Sequence, residues 1–202
     1  MAILPDQCWL TDCRTGGRVL ADHVELSPEL AADALQEWWK SDSAPSAEDM
    51  SNEDDFEWDW PALATQVKTH LLREATAIQI PGQDAVQGAM LLRLRAYSYD
   101  LDPPKLAVKI EYLATAPWNR IWLVGQQRYA GVGTAMILRA AMHSHLLAAD
   151  GVVLDAVPQP RTVGFYKRRG FGEIAKTPDG IIKMQMSSDT VRSVLAEKGL
   201  LQ

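Results

Sequence analysis

The stretch Gln127-Arg128-Tyr129-Ala130-Gly131-Val132-Gly133 constrains this chain more than any other. It follows a strand-like run that ends at Pro117 and precedes a helix-like run from about Gly133 to Ala149. Two glycines at such a junction let main-chain N–H groups approach a ligand with no side chain in the way. A helix start adds unpaired N–H donors and the positive end of the helix dipole. Together these make a seat for phosphate oxygens. Alone the pattern is weak. It gains force because Phe165-Tyr166-Lys167-Arg168-Arg169-Gly170-Phe171 follows at a telling distance.

The elements around these motifs alternate in kind. A strand is expected over 18–26, after the Gly16-Gly17 turn. Ser27-Pro28-Glu29 opens a helix with a cap, a first-position proline and an acid on the dipole, and Leu30, Ala34, Leu35 and Trp38 form its apolar face. Residues 41–59 are acidic and short of aliphatics, and read as a long mobile loop. It is either a solvated linker or an acidic, aromatic-tipped flap over a substrate site. A second helix is expected from Pro61 to about Arg73, with Leu63, Val67, His70 and Leu71 on one side.

Strands follow over 75–80 and 86–95 around a Pro81-Gly82 turn, then over 105–115. The post-glycine helix carries Met136, Ile137, Ala140, Ala141, Leu147 and Ala148 at helical spacing. A buried strand at 151–157, a short helix at 161–169, two last strands and a helix over 189–200 complete the chain. The expectation is an α/β fold: one domain over 1–202, with a mixed central sheet of about seven strands and helices on both faces.

At 202 residues the chain can bury a full core as one domain. Its formal net charge of −6 disfavours a nucleic-acid partner, which needs a basic patch, and suits an amine-bearing cation better. No apolar run is long enough for a membrane span. The N-terminus has neither the basic start nor the apolar core of a signal peptide, so the expected location is cytoplasmic. Cys8 and Cys13 are too few for a disulfide framework and have no second pair for a zinc site, so no metal is expected. His143 and His145, two apart on a helix, cannot chelate one metal.

This element order and these motifs resemble the GNAT superfamily of acetyl-CoA-dependent N-acyltransferases. The family's acyl-CoA loop, Gln/Arg-x-x-Gly-x-Gly/Ala, is matched by Arg128-Tyr129-Ala130-Gly131-Val132-Gly133. Its downstream Phe-Tyr-x-x-x-Gly-Phe segment is matched by Phe165, Tyr166, Gly170 and Phe171. The resemblance covers residues 17–186, with its firm core at 86–172.

The resemblance implies a splayed pair of strands and acetyl-CoA as co-substrate. Pantetheine would lie against the backbone of Leu113, Ala114 and Thr115. The pyrophosphate would sit on the loop, from Arg128 through Tyr129, Ala130, Gly131, Val132 and Gly133 to Thr134. Phe165 and Gln159 would also face the cofactor; Gln159 stands where many members carry Asn. Tyr166 matches the position that often protonates the departing thiolate, and its ordinary pKa near 10 keeps it a donor. Glu111 lies where members often place a general base, acting directly or through water. The bland alternatives are a core tyrosine at 166 and an ion pair of Glu111 with Lys109 or Arg93.

The implied activity is acetyl transfer to a primary amine on a small molecule or peptide, with homodimers common in the family. Two other readings stand beside it: a silent acyl-CoA sensor of the same fold, and a toxin that acetylates aminoacyl-tRNA. The chain departs from the family in the long segment 118–127, either a substrate-side flap or an extended turn.

Overall fold

The computed structural model describes residues 6–40, 49, 53–100 and 103–201. Most of the acidic stretch, 41–48 and 50–52, therefore lies outside the described residues. Among the described residues, nine strands form one open sheet, β1 (Gln7–Asp12), β2 (Arg18–Glu25), β3 (Arg73–Gln79), β4 (Val86–Tyr97), β5 (Leu106–Thr115), β6 (Tyr129–Ala130), β7 (Gly151–Ala156), β8 (Gly172–Lys176) and β9 (Ile182–Ser187). Their order in the sheet is β6-β1-β2-β3-β4-β5-β7-β9-β8. The helices are α1 (Pro28–Lys40), α2 (Trp60–Lys68), α3 (Ile121–Val124), α4 (Val132–Leu146), α5 (Pro160–Lys167) and α6 (Ser188–Glu197), with a 3-10 turn at Pro117–Asn119.

β5 and β7 run parallel, in register from Val108↔Val152 to Ile110↔Leu154, and β5 continues to Thr115. β7 also pairs antiparallel with β9 along its whole length. Gly151 opens β7 at φ 132°, and a Cβ there would stand 2.0 Å from the Met186 carbonyl oxygen, so only glycine fits.

The chain divides into two compact units, with the division falling inside β4, β5 and α4. The first holds Pro5–Leu91 together with Tyr112–Met136. Its core gathers Leu26, Ala31, Ala34, Trp38, Trp60, Leu63, Ala77, Leu91 and Ala114. The stripe expected on α1 is there, and Ser27 caps it by accepting the Leu30 N–H at 3.2 Å. Trp38 donates its indole N–H to the Val86 carbonyl at 2.9 Å and stands edge-on to Trp60. Trp58 meets Tyr112 edge-on at 4.9 Å. These tryptophans anchor the core.

α2 ends at Lys68, earlier than the Arg73 expected from its pattern. Leu71 is fully exposed and His70 is exposed, so neither belongs to the buried face. Two strands were not foreseen. β1 pairs antiparallel with β2 over Gln7–Thr11, and β6 pairs with β1 through Thr11↔Ala130 and Asp12↔Tyr129.

The second unit holds Leu92–Glu111 and the chain from Ile137 onward. Val108, Ile110, Val152, Leu154, Met184 and Met186 are buried from its strands, and Ile137, Ala140 and Ala141 from α4. Among the described residues no helix is long and apolar enough to cross a membrane. Nor does any group of His, Cys, Asp and Glu among them suit a metal ion.

Candidate functional site

The end of β5 comes first. Ala116 donates its N–H to the Gln87 carbonyl at 2.9 Å. The Ala114 carbonyl lies 3.0 Å from where a Cβ on Gly88 would sit. The peptide groups of Ala114 are thus turned towards β4. Peptide direction alternates along a strand, so Leu113 and Thr115 turn theirs the other way. Thr115 has its carbonyl engaged by Arg120, which donates from Nε at 2.8 Å and from Nη2 at 2.5 Å. Of the three residues expected to face pantetheine with their backbone, Leu113 is the one with both peptide groups turned from β4 and no Arg120 contact.

The glycine loop follows. Its first residues are tied into the protein rather than held out to a ligand. Arg128 donates its N–H to the Trp118 carbonyl at 2.8 Å and accepts from Cys13 at 2.9 Å. Tyr129 donates its N–H to Asn119 Oδ1 at 2.9 Å, and its buried phenol meets the Gln83 amide at 3.1 Å. Ala130 pairs with Thr11 in β6.

Gly131 then takes φ 97°, a left-handed conformation suited to glycine. Its carbonyl accepts the Ala135 N–H at 2.9 Å, the first bond of α4. The N–H groups of Val132 and Gly133 therefore have no acceptor within the helix. Arg128 Nε is buried with no hydrogen-bond partner among the described residues. A positive-φ glycine at a helix start fits an anionic group such as a diphosphate, and Arg128, whose guanidinium lies 5.4 Å from the Tyr129 ring centre, adds a cation to the same loop. Gly88 brings these pieces together: its Cβ would meet Val132 Cγ1 at 2.7 Å and Met136 Cε at 2.1 Å.

In the second unit, Tyr166 lies on α5 with 9% of its surface exposed. It stands edge-on to Phe165 at 5.1 Å and to Phe171 at 5.6 Å. Burial pushes its phenol up to about 12, and the charge of Arg169 pulls the other way. Arg169 stacks 3.6 Å from the Phe165 ring and donates to the Phe165 carbonyl at 2.8 Å. Gly170 takes φ 92°, and a Cβ there would meet Thr190 Cγ2 of α6 at 2.7 Å. Close approach to α6 explains why a glycine stands in this motif. Gln159 occupies the N-cap of α5 without capping it, and accepts from Arg161 at 3.3 Å.

Glu111 has only 10% of its side chain exposed and pairs with Arg93. The other partner considered, Lys109, goes instead to Asp155 at 2.5 Å, where the Tyr99 hydroxyl also donates at 2.9 Å. Burial, and the Asp155 carboxylate that accepts its proton, raise the Tyr99 pKa.

Within the described part of the acidic stretch, Glu53 and Asp55 are buried, while Asp54, Phe56, Glu57 and Asp59 are exposed. Arg120, almost wholly buried, donates to Glu53 Oε2 at 2.9 Å and to Asp55 Oδ1 at 2.7 Å. Trp122 donates to Glu53 Oε1 at 2.9 Å. Asn119, Gln87 and Arg120 gave no signal in the sequence because their partners lie far along the chain.

No family model matches the sequence, and no curated protein matches it. Solved structures do match in shape. A GNAT-family protein from Desulfovibrio desulfuricans aligns at a TM-score of 0.56 with 13% identity, covering 83% of this chain and 99% of that one. The AtaT toxin, solved with acetyl-CoA and the C-terminus of its antitoxin, aligns at 0.55 with 14% identity, over 87% and 98%. A spermidine N-acetyltransferase chimera carrying Vibrio cholerae sequence aligns at 0.54 with 16% identity, over 85% and 98%. The fold is that of the GNAT acetyltransferases. The nine-stranded open sheet extends the seven-strand GNAT core read from the sequence by β1 and β6.

Proposed function

We propose that this protein is an N-acetyltransferase that moves an acetyl group from acetyl-CoA to a primary amine by direct attack in a ternary complex. The observation that carries the reading is the loop: Gly131 at φ 97°, the Val132 and Gly133 N–H groups that find no acceptor within α4, and the cation of Arg128 in the same loop. Those groups would hold the pyrophosphate, and the Leu113 backbone would pair with the pantetheine amides. Acetyl-CoA supplies an activated acyl group on a good leaving thiolate.

Glu111 accepts a proton from the amine, directly or through water, so that the nitrogen attacks as a neutral base. Arg93 holds that carboxylate in place. A C–N bond forms, the C–S bond breaks, and the departing thiolate accepts a hydrogen bond from the Tyr166 hydroxyl. A phenol raised to about 12 is a weaker acid than a thiol of about 8.5. Tyr166 therefore keeps its proton and stabilises the thiolate by hydrogen bonding as charge develops, while the proton released from the amine passes to Glu111.

The acceptor we favour is an amine on a small molecule or peptide, a class that the spermidine enzyme among the structural neighbours supports. The reading of 41–59 as an acidic flap loses part of its basis, because Glu53 and Asp55 are both paired with Arg120 inside the protein. The test follows free thiol while the protein is incubated with acetyl-CoA and a panel of amines. Thiol release with one or more amines is expected. Tight coenzyme A binding with no release from any amine would instead mark a sensor. A second reading, acetylation of aminoacyl-tRNA, draws on the toxin neighbour and is opposed by the net charge of −6. A gel shift with bulk tRNA at low salt separates it.

A further inference from the structure

The segment that follows β5 begins Pro117-Trp118-Asn119, with the proline at the first position of the 3-10 turn. Asn119 closes that turn by donating its main-chain N–H to the Ala116 carbonyl at 2.9 Å. Its side chain, buried at the centre of three segments, uses both of its polar faces. Nδ2 donates to the Gln87 carbonyl at 3.2 Å and to Gln87 Oε1 at 3.1 Å. Oδ1 accepts the N–H of Tyr129 at 2.9 Å.

Gln87 is itself fully buried and fully engaged. Its Oε1 also accepts from the Trp118 indole at 3.0 Å, and its Nε2 donates to the Ala85 carbonyl at 3.0 Å. A buried amide pair with every polar group satisfied is stiff, because loss of any one bond strands a polar atom away from water.

We propose that Asn119 is a positioning residue for the cofactor loop. It ties the Tyr129 amide to β4, while the neighbouring Trp118 carbonyl takes the Arg128 amide. The loop is thereby held at its entry, and Gly131 is presented already turned into its left-handed conformation. Coenzyme A meets a loop whose ordering entropy has been removed in advance. The long segment 118–127, a departure from the family pattern, is on this view the scaffold of the loop. The inference rests on the reading that this loop binds the coenzyme A diphosphate.

The test compares wild type, Asn119→Ala, Asn119→Ser and Trp118→Phe by calorimetry with coenzyme A, with circular dichroism as the check on folding. Loss of both side-chain faces in Asn119→Ala is expected to weaken coenzyme A about tenfold and to speed hydrogen exchange at the Tyr129 amide. The KM for acetyl-CoA should rise while that for the amine holds. Asn119→Ser keeps an oxygen able to accept from Tyr129 and should recover part of the affinity. Trp118→Phe removes one donor to Gln87 and leaves the Asn119 bonds, so its loss should be smaller.

A folded Asn119→Ala that binds as wild type overturns the proposal. So does a Trp118→Phe variant that loses as much, since the effect then belongs to packing of the segment. If Asn119→Ala does not fold, Asn119→Ser with faster Tyr129 exchange and weakened coenzyme A binding supports it; wild-type affinity in that variant overturns it. Failure of wild type to bind coenzyme A sinks the functional reading itself, and is thereby distinguished from failure at Asn119.

Discussion

The guanidinium of Arg93 on β4 is paired with the carboxylate of Glu111 on β5, which is nine-tenths withdrawn from solvent. Glu111→Gln keeps the shape and removes the charge. It is expected to lower kcat by about 10²-fold with coenzyme A affinity unchanged. Steady-state kinetics with the best amine of the panel checks this, and unaltered turnover removes Glu111 from the chemistry.

Tyr166→Phe should likewise lower kcat by about 10²-fold with modest change in acetyl-CoA affinity, because the phenol acts only as the thiolate leaves. The same side chain makes a prediction about pH. Its folded pKa is raised from 10.0 to about 12, so the native state holds the proton where the unfolded chain has lost it. The contribution is complete below pH 10 and falls away between pH 10 and about 12. Tyr99 is also shifted upward, so the measurement is the difference between wild type and Tyr166→Phe in urea melts across that window. Parallel curves for the two proteins would contradict the burial argument.

Gly88→Ala places a methyl within 2.7 Å of Val132 and 3.0 Å of the Ala114 carbonyl. Overpacking of this kind costs about 1–3 kcal/mol. The start of α4 must shift to make room, so coenzyme A affinity should fall along with stability. Denaturant melts and calorimetry read the two together.

Arg120→Met leaves Glu53 and Asp55 buried without their cation. Breaking one side of a buried ion cluster costs about 3–5 kcal/mol. The triple variant Arg120→Met, Glu53→Gln, Asp55→Asn removes the stranded charges and is expected to be less destabilised than the single change. Equal melts for all three proteins would show that the cluster holds nothing in place.

The parts of the fold that could be read in advance are those set by local chemistry. Ser27-Pro28-Glu29 begins α1, Pro81-Gly82 turns β3 into β4, and the alternation over 106–115 makes a strand. The motif glycines were legible for the same reason: Gly131 and Gly170 are each demanded by their own backbone, at φ 97° and 92°. β1 was not legible because only Leu10 of its six residues is fully buried, and β6 is two residues long. Neither carries a period to detect. Glu111 could be singled out, but whether it met Arg93 or Lys109 depended on the side-chain packing across β4 and β5. Asn119 gave no signal, because its partners Gln87 and Tyr129 lie 32 and 10 residues away.

The pairing of β1 with β6 joins Thr11 and Asp12 to residues synthesised more than a hundred positions later. A growing chain will have made the β1–β2 hairpin long before its outer neighbour exists. For that interval β1 has a bare edge, open to any extended segment that passes. Such distant closures slow folding, since the chain between them must first be gathered in. β6 and the glycine loop that continues it are thus held in the sheet only once that distant pairing has closed.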